Sequence, residues 1–470
     1  MKKFKHERLT DHLIQLIERG DLKTGEKLPS LRTLSKQQGM SLMTVYHSIS
    51  TLQGLGYVES RPKSGYYARR PLQKKSFLQH KKLEKKSCVQ SLDELVQLVY
   101  GTGGEGLISL ARNTPAASLL PTSKLKKSLL YVSRNRMDSS LQYGSIAGIP
   151  ELREQIAVTS GQSGTLLNSK ELIVTVGCME AINLAIRSST EVGDKILIES
   201  PTYFGLFQAI QGLGRIPVEV SADFNSGIVP FQLKTAIENH HPKACILVTN
   251  YSNPLGATIP DADKEKIVQL LHEKKVTLIE NDIYGELYYG KKRPRTCKSY
   301  DRHNEVIYCS SFSKSLAPGY RVGWIAPGRF YDEVFQAKIS QSVATSSLNQ
   351  EILAHFLKNG RFDLHLKRLR KQLHTQSLKY QQAIEHYFPD DTVVSKPAGG
   401  FVLWVELPPG IDTLELFNRA LQQNVTFAPG QLFSLDKDLR NYLRISIGQH
   451  FDEKIEKGIG VLGNLIATSD

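Results

Sequence analysis

Tyr308-Cys-Ser-Ser-Phe-Ser-Lys-Ser-Leu-Ala-Pro-Gly-Tyr-Arg-Val-Gly-Trp324 is the stretch from which this 470-residue chain is best read. A short apolar strand, 306–309, runs into a hydroxyl-rich turn that sets Lys314 among Ser310, Ser311, Ser313 and Ser315. Seven residues on stands Arg321, followed by a second strand-like run. A lysine at the mouth of a strand, ringed by small hydroxyls and followed by an arginine, suits a Schiff-base amine beside a bound phosphate. Hydroxyls and turn amides donate to phosphate oxygens, and Arg321 adds a planar, charge-assisted fork. A solvated lysine in a serine-rich turn has the same local pattern, so the other strand ends must decide.

They lie further up the chain. Apolar, β-rich runs at 171–176, 195–199, 244–249, 276–280, 305–309 and 321–326 alternate with helical patterns. That alternation predicts a doubly wound, mainly parallel α/β sheet, whose ligands collect beyond the carboxyl ends of its strands. After the first run, Gly177-Cys-Met179 opens a helix, and free amides at a helix start suit a phosphate. After the second, Ser200-Pro-Thr-Tyr-Phe-Gly205 places Tyr203 to stack on a flat heterocycle. Asn250-Tyr-Ser-Asn-Pro-Leu-Gly256 offers the Asn253 amide to a ring oxygen, and Glu280-Asn-Asp-Ile-Tyr-Gly-Glu286 brings acids and the phenol of Tyr284. Anion site, stacking ring, amide, phenol and amine together describe a site for an aromatic aldehyde phosphate.

The other end of the chain is basic. Residues 1–90 hold 19 Lys/Arg against 7 Asp/Glu, a net of +12, out of +14 for the whole protein. Charge concentrated at one end points to a polyanionic partner more than to general solubility. From Leu9 the apolar positions Leu13, Ile14, Leu16 and Ile17 fall on one side of a helix ended by Gly20. A Gly/Pro turn leads to Ser30, an N-cap for a second helix over 31–38, and Ser41 caps a third over 42–52. Residues 57–67 read as two short strands around a basic turn, so the layout is that of a winged helix-turn-helix. Residues 68–90, with eight Lys/Arg and one acid, read as an extended tether that adds phosphate attraction.

Length predicts two or three domains. No apolar run approaches a membrane span, and the N-terminus leads into a helical pattern and not a signal core, so a cytoplasmic location is expected. Cys88, Cys178, Cys245, Cys297 and Cys309 form no CxxC pair and no metal spacing, which fits free thiols and no metal site.

Two resemblances follow from these residues. Leu28-Pro-Ser-Leu-Arg-Thr-Leu34, the Ser41 to Val45 step and Gly56-Tyr-Val-Glu-Ser-Arg-Pro-Lys-Ser-Gly65 resemble the GntR-family DNA-binding domain. The resemblance implies that Arg32, Ser41, Thr44, Tyr46, Arg61, Lys63 and Gly65 face double-stranded operator DNA. Many members carry Arg directly after the capping hydroxyl, whereas Leu42 and Met43 stand here. An apolar pair can touch thymine methyls but cannot make a bidentate guanine contact.

Residues from about 105 to 465 resemble fold-type I pyridoxal-phosphate enzymes of the class I/II aminotransferase type. The motifs are Gln142-Tyr-Gly-Ser-Ile-Ala-Gly-Ile-Pro-Glu-Leu-Arg153, Ser252-Asn-Pro-Leu-Gly256, the lysine stretch, Pro397-Ala-Gly-Gly-Phe401, Ala428-Pro-Gly430 and Tyr442-Leu-Arg-Ile-Ser446. The resemblance implies a smaller α+β domain beside the sheet and pyridoxal 5'-phosphate held as a Schiff base on Lys314. Tyr203 would stack on the ring, and Asn253 and Tyr284 would hold its hydroxyl. Cys178, Met179, Ser311, Ser313 and Arg321 would hold the phosphate, with Tyr143 reaching it from a second subunit, and Arg444 would bind an effector or substrate carboxylate. The family's acid under the pyridine nitrogen lies three, or in some members two, residues before the tyrosine. Counting back from Tyr284 gives Asn281 or Asp282, with Asp282 slightly favoured because an acid keeps the ring an electron sink.

The combination resembles the MocR/GabR subfamily of regulators. The expected organisation is a DNA-binding head over 1–69, a basic linker over 70–104 and an aminotransferase-like body over 105–470, assembled as a homodimer. The expected function is transcriptional regulation in response to a small amine or amino acid, or to the cofactor itself. The alternative is a working aminotransferase with an accessory head.

Overall fold

The computed structural model describes residues 5–55, 57–61, 64–69, 96, 97, 99, 106–436 and 438–468. Lys63 and nearly all of the expected linker lie outside these. The chain divides into two compact units, Met1–Lys86 and Ser87–Asp470.

In the first unit, helices α1 (Lys5–Arg19), α2 (Leu31–Gln38) and α3 (Leu42–Gly54) precede the antiparallel pair β1 (Val58–Arg61) and β2 (Gly65–Ala68). Leu9, Leu13 and Ile17 recur on one face of α1, and Val45, Ile49 and Leu52 on one face of α3, and together with Leu34 they form the buried core. The two serines cap as expected: Ser30 accepts from the Thr33 amide at 3.1 Å, and Ser41 from that of Thr44 at 3.2 Å. One feature differs from the sequence reading. The Gly/Pro turn also pairs with the wing, since Leu28 N donates to Tyr66 O at 2.8 Å and Ala68 N to Glu26 O at 2.8 Å.

The second unit is built on a seven-stranded sheet in the order β4 (Ile173–Thr175), β10 (Gly323–Ala326), β9 (Ile307–Ser311), β8 (Thr277–Asn281), β7 (Ala244–Leu247), β5 (Lys195–Ser200), β6 (Ile216–Ser221). Only β10 runs against the others. All six expected strands are present within two residues of their predicted bounds. The seventh, β6, is a half-exposed edge strand carrying Pro217 and Glu219, so its apolar signal is weak. A smaller antiparallel sheet follows in the order β11 (Val393–Val394), β12 (Val402–Glu406), β15 (Tyr442–Ser446), β14 (Ala428–Pro429). The short strand β3 (Ile108–Ser109) pairs in parallel with β13 (Val425–Thr426) as a separate two-stranded sheet, which ties the start of the unit to the segment just before β14. Cys178, Cys245, Cys297 and Cys309 are free and buried, and Cys88 lies outside the described residues. Among the described residues, no group of side chains could hold a metal ion, and no helix is long and apolar enough to cross a membrane.

Candidate functional site

The carboxyl ends of β4, β5, β7, β8 and β9 open onto one cavity of about 380 Å3. Cys178, Met179, Tyr203, Asn253, Asn281, Tyr284, Ser311, Ser313, Lys314, Arg321 and Arg444 all line it. Arg321 reaches the same end because β10 is antiparallel, so the residue just before that strand lies beside the residues just after its neighbours. Arg444 comes from β15 of the smaller sheet, where it is buried opposite Trp404 and Ala428.

One side of the cavity is a cradle for an anion. The helix Cys178–Ser189 starts at Gly177, whose φ of +76° favours glycine and where a Cβ would stand 2.5 Å from Arg321 Nη2. At Gly323 a Cβ would lie 2.8 Å from Cys178 N, so the absence of a side chain lets this helix start sit close behind Ser311. Arg321 donates to Ser313 Oγ at 3.3 Å and faces the helix start. Amides, hydroxyls and a guanidinium therefore converge.

The other side holds the amine. Lys314 Nζ donates to Asn113 O at 2.5 Å, and Asn113 Nδ2 donates to the Tyr284 hydroxyl at 2.8 Å. Burial first, then the nearby Arg444 and Arg321, pull the Lys314 pKa down to about 7, which leaves a large share of neutral, nucleophilic amine. Burial raises the Tyr284 phenol, so it stays a donor, and raises that of Tyr203 to about 12. Arg444 Nη1 donates to Asn253 Oδ1 at 3.1 Å, and its Nη2 to the carbonyl of Ala111. Burial lowers Arg444 to about 10, so it remains cationic at neutral pH.

One expected position lies elsewhere. Asp282, slightly favoured over Asn281 from the sequence, does not line this cavity. Strand pleating turns it to the opposite face, where it meets Arg293. Tyr143, expected to reach the phosphate from a second subunit, is 92% exposed and does not line the cavity of its own chain. Asn113, by contrast, was missed by sequence reading. It lies four residues beyond a two-residue strand, too short for an apolar run to announce.

In the first unit, Arg32, Ser41, Tyr46, Arg61 and Gly65 are exposed and Thr44 is half-buried, while Lys63 lies outside the described residues. Leu42 and Met43 also face outward, Met43 at 73% exposure. Arg61 is paired with Glu59 at 2.6 Å and lies 4.2 Å over the Tyr67 ring.

Comparison with known proteins agrees with both units. The family of aminotransferases class I and II matches residues 105–462, and the gntR family of bacterial regulatory proteins matches residues 5–67. The chain is 34% identical to the uncharacterized HTH-type transcriptional regulator YdcR of Escherichia coli, over 98% of this chain and 99% of that one. Among solved structures, the multiple substrate aminotransferase of Thermococcus profundus superposes with a TM-score of 0.74 at 28% identity, covering 82% of this chain and 97% of its own. LysN, the α-aminoadipate aminotransferase of Thermus thermophilus complexed with N-(5'-phosphopyridoxyl)-L-leucine, gives 0.73 at 29%, covering 79% and 94%. The aminotransferase family depends on pyridoxal phosphate. The residues present fit that group: an amine, an anion cradle, and two buried polar atoms, Arg444 Nε and Asn113 Oδ1, without a partner in the protein. With a GntR head and an aminotransferase-like body along one chain, the protein belongs to the GntR-type transcriptional regulators fused to an aminotransferase class I and II domain.

Proposed function

We infer that this regulator binds pyridoxal 5'-phosphate at Lys314 and uses it to sense a small amine or amino acid, changing how its head engages a double-stranded operator. The observation that carries this is the single cavity in which a lysine of lowered pKa faces an anion cradle, with a buried arginine on a second sheet. Cys178, Met179, Ser311, Ser313 and Arg321 would hold the phosphate, Tyr203 would stack on the ring, and Asn253 and Tyr284 would hold its hydroxyl. Bound there, the aldehyde offers a carbon for which Lys314 and an amine effector compete, one amine replacing the other without oxidation. Arg444 would take the effector's carboxylate, exchanging its bond to Asn253 for a bidentate pair. Because the ligand would touch both sheets of the body, it can favour one arrangement of them, as coupling to DNA requires.

The division into a head over 1–69, a linker over 70–104 and a body over 105–470 belongs to this reading. So do the DNA-facing roles of Arg32, Ser41, Thr44, Tyr46, Arg61, Lys63 and Gly65, and a cytoplasmic homodimer in which Tyr143 completes the partner's site. The exposure of Tyr143 on its own subunit supports that last role. Purified protein should absorb as a lysine-bound cofactor, and borohydride should fix the cofactor to Lys314. Operator binding in mobility shift should change when amines are added. Identical operator binding with and without cofactor and amines would reject the sensing role. A second reading, a working aminotransferase, is supported by the presence of Lys314 and Arg444 in one cavity. It requires conversion of the cofactor to its amine form at useful turnover.

A further inference from the structure

The end of β8 sends two neighbouring side chains to opposite faces. Asn281 lines the cavity with Lys314. Asp282 lies behind it, its carboxylate taken up by Arg293 Nη2 at 2.5 Å, the Tyr308 hydroxyl at 2.9 Å and Asn250 Nδ2 at 2.9 Å. Asp282 and Arg293 are both buried, and Arg293 also binds Glu286 at 2.8 Å, so the acid is fixed in its own network. Among the described residues, no Asp or Glu lines the Lys314 cavity, whereas Lys314, Arg112, Arg321 and Arg444 do. On the cavity side, the Cys178 thiol donates to Asn281 Oδ1 at 3.3 Å. Burial raises that thiol's pKa, so it is a donor and the amide oxygen is turned to it. The amide end left to meet a ligand is the NH2 group, which can only donate.

We propose that Asn281 donates a hydrogen bond to the ring nitrogen of pyridoxal phosphate at Lys314, keeping that nitrogen unprotonated, so that the body binds amines without removing their Cα proton. This rests on the cofactor reading above and deepens it. A donated hydrogen bond favours the neutral form of the nitrogen that accepts it. Protonation would add a positive charge near Arg112, Arg321 and Arg444, with no Asp or Glu among the described lining residues to offset it. A neutral ring draws electrons from the Cα–H bond far less than a pyridinium does, so the electron sink that transamination needs is weak. Amine exchange at Lys314 makes no such demand. One nitrogen replaces another on the same carbon, a proton passes between the two amines, and nothing is oxidised. The site can then report an amine reversibly instead of consuming it.

The test uses full-length protein loaded with cofactor labelled with nitrogen-15 in the ring. Its NMR shift should be that of a neutral pyridine in the wild type at neutral pH and of a pyridinium in Asn281→Asp. In heavy water, Cα-proton exchange of an added amino acid should run no faster with the wild type than with free cofactor. With Asn281→Asp it should run at least ~100-fold faster. A pyridinium shift in the wild type, or wild-type exchange as fast as the variant's, overturns the proposal. The wild-type shift needs no substitution, so a variant that fails to fold leaves the test intact. Borohydride mapping on the same samples separates the two levels of inference. A Lys314 adduct with a protonated ring nitrogen overturns this proposal alone, and no Lys314 adduct overturns the cofactor reading together with it.

Discussion

In the first unit the groups that would touch a partner are spread over exposed side chains, whereas in the second they converge on one cavity. Met43 is 73% exposed, while Tyr284 and Arg444 are 4% and 2% exposed. An exposed cation costs little to hold, is screened by salt and contributes modestly. A buried one must be stripped of water, and the lowered pKa values of Lys314, about 7, and Arg444, about 10, record that cost. Cavity groups also lean on one another: Asn113 touches both Lys314 and Tyr284, and Arg444 holds Asn253. Head residues should therefore act nearly additively, and cavity residues should not.

The largest expected effect lies where charge is most deeply buried. Asp282→Asn leaves Arg293 with a diminished partner in a site closed to water, and should cost about 3–5 kcal/mol. The urea midpoint of the body's transition reads this out. A loss no larger than that of an exposed pair would mean that burial does not separate the two regions.

The head should be breakable on its own. Leu52 is fully buried in a core of few side chains, and Leu52→Ala should cost about 2–3 kcal/mol. Calorimetry should show an earlier head transition, with operator binding lost and cofactor absorbance unchanged. One merged transition, shifted as a whole, would show that the two units unfold as one.

Acidity provides the third test. Lys314 in the folded protein has a pKa below its ordinary value of 10.5, so the unfolded chain binds more protons between about 7 and 10.5. The cost to stability is thus fully present below about 7 and fades as pH rises toward 10.5. The same titration controls chemistry, since only the neutral amine attacks an aldehyde. Cofactor capture, followed by stopped-flow absorbance, should be roughly tenfold faster one unit above that pKa than one unit below it. A flat profile would mean that the amine is not rate-determining.

What could be read from the sequence follows from where the physics is local. Caps at Ser30 and Ser41 depend on three-residue spacings, and the strand runs that end at the cavity depend on buried apolar side chains, so both were legible. The β6 edge was not, because one side of it faces water. Asn113 was not, because β3 gains its place only by pairing with β13, more than 300 residues away. The choice between Asn281 and Asp282 turns on a single pleat, which composition and spacing do not determine. Arg293, which draws Asp282 away, becomes its partner only after the chain has folded back from residue 293.

The smallest expected effect belongs to the wing. Arg61 is bound to Glu59 at 2.6 Å, so a phosphate must displace a carboxylate before it gains the guanidinium. Both groups are exposed, and the displaced pair is worth little in water. Glu59→Gln should tighten operator binding roughly two- to fivefold, while Arg61→Ala should weaken binding to all sequences alike and lower the salt slope by about one. The double variant should match Arg61→Ala, because Glu59 would act only through its partner. Anisotropy titrations across a salt series measure all three. If Glu59→Gln still tightens binding when Arg61 is gone, the acid acts as a repulsive charge of its own. The two acids would then differ in kind as well as in burial: Asp282 holds the body together, whereas Glu59 only tunes what the head can reach.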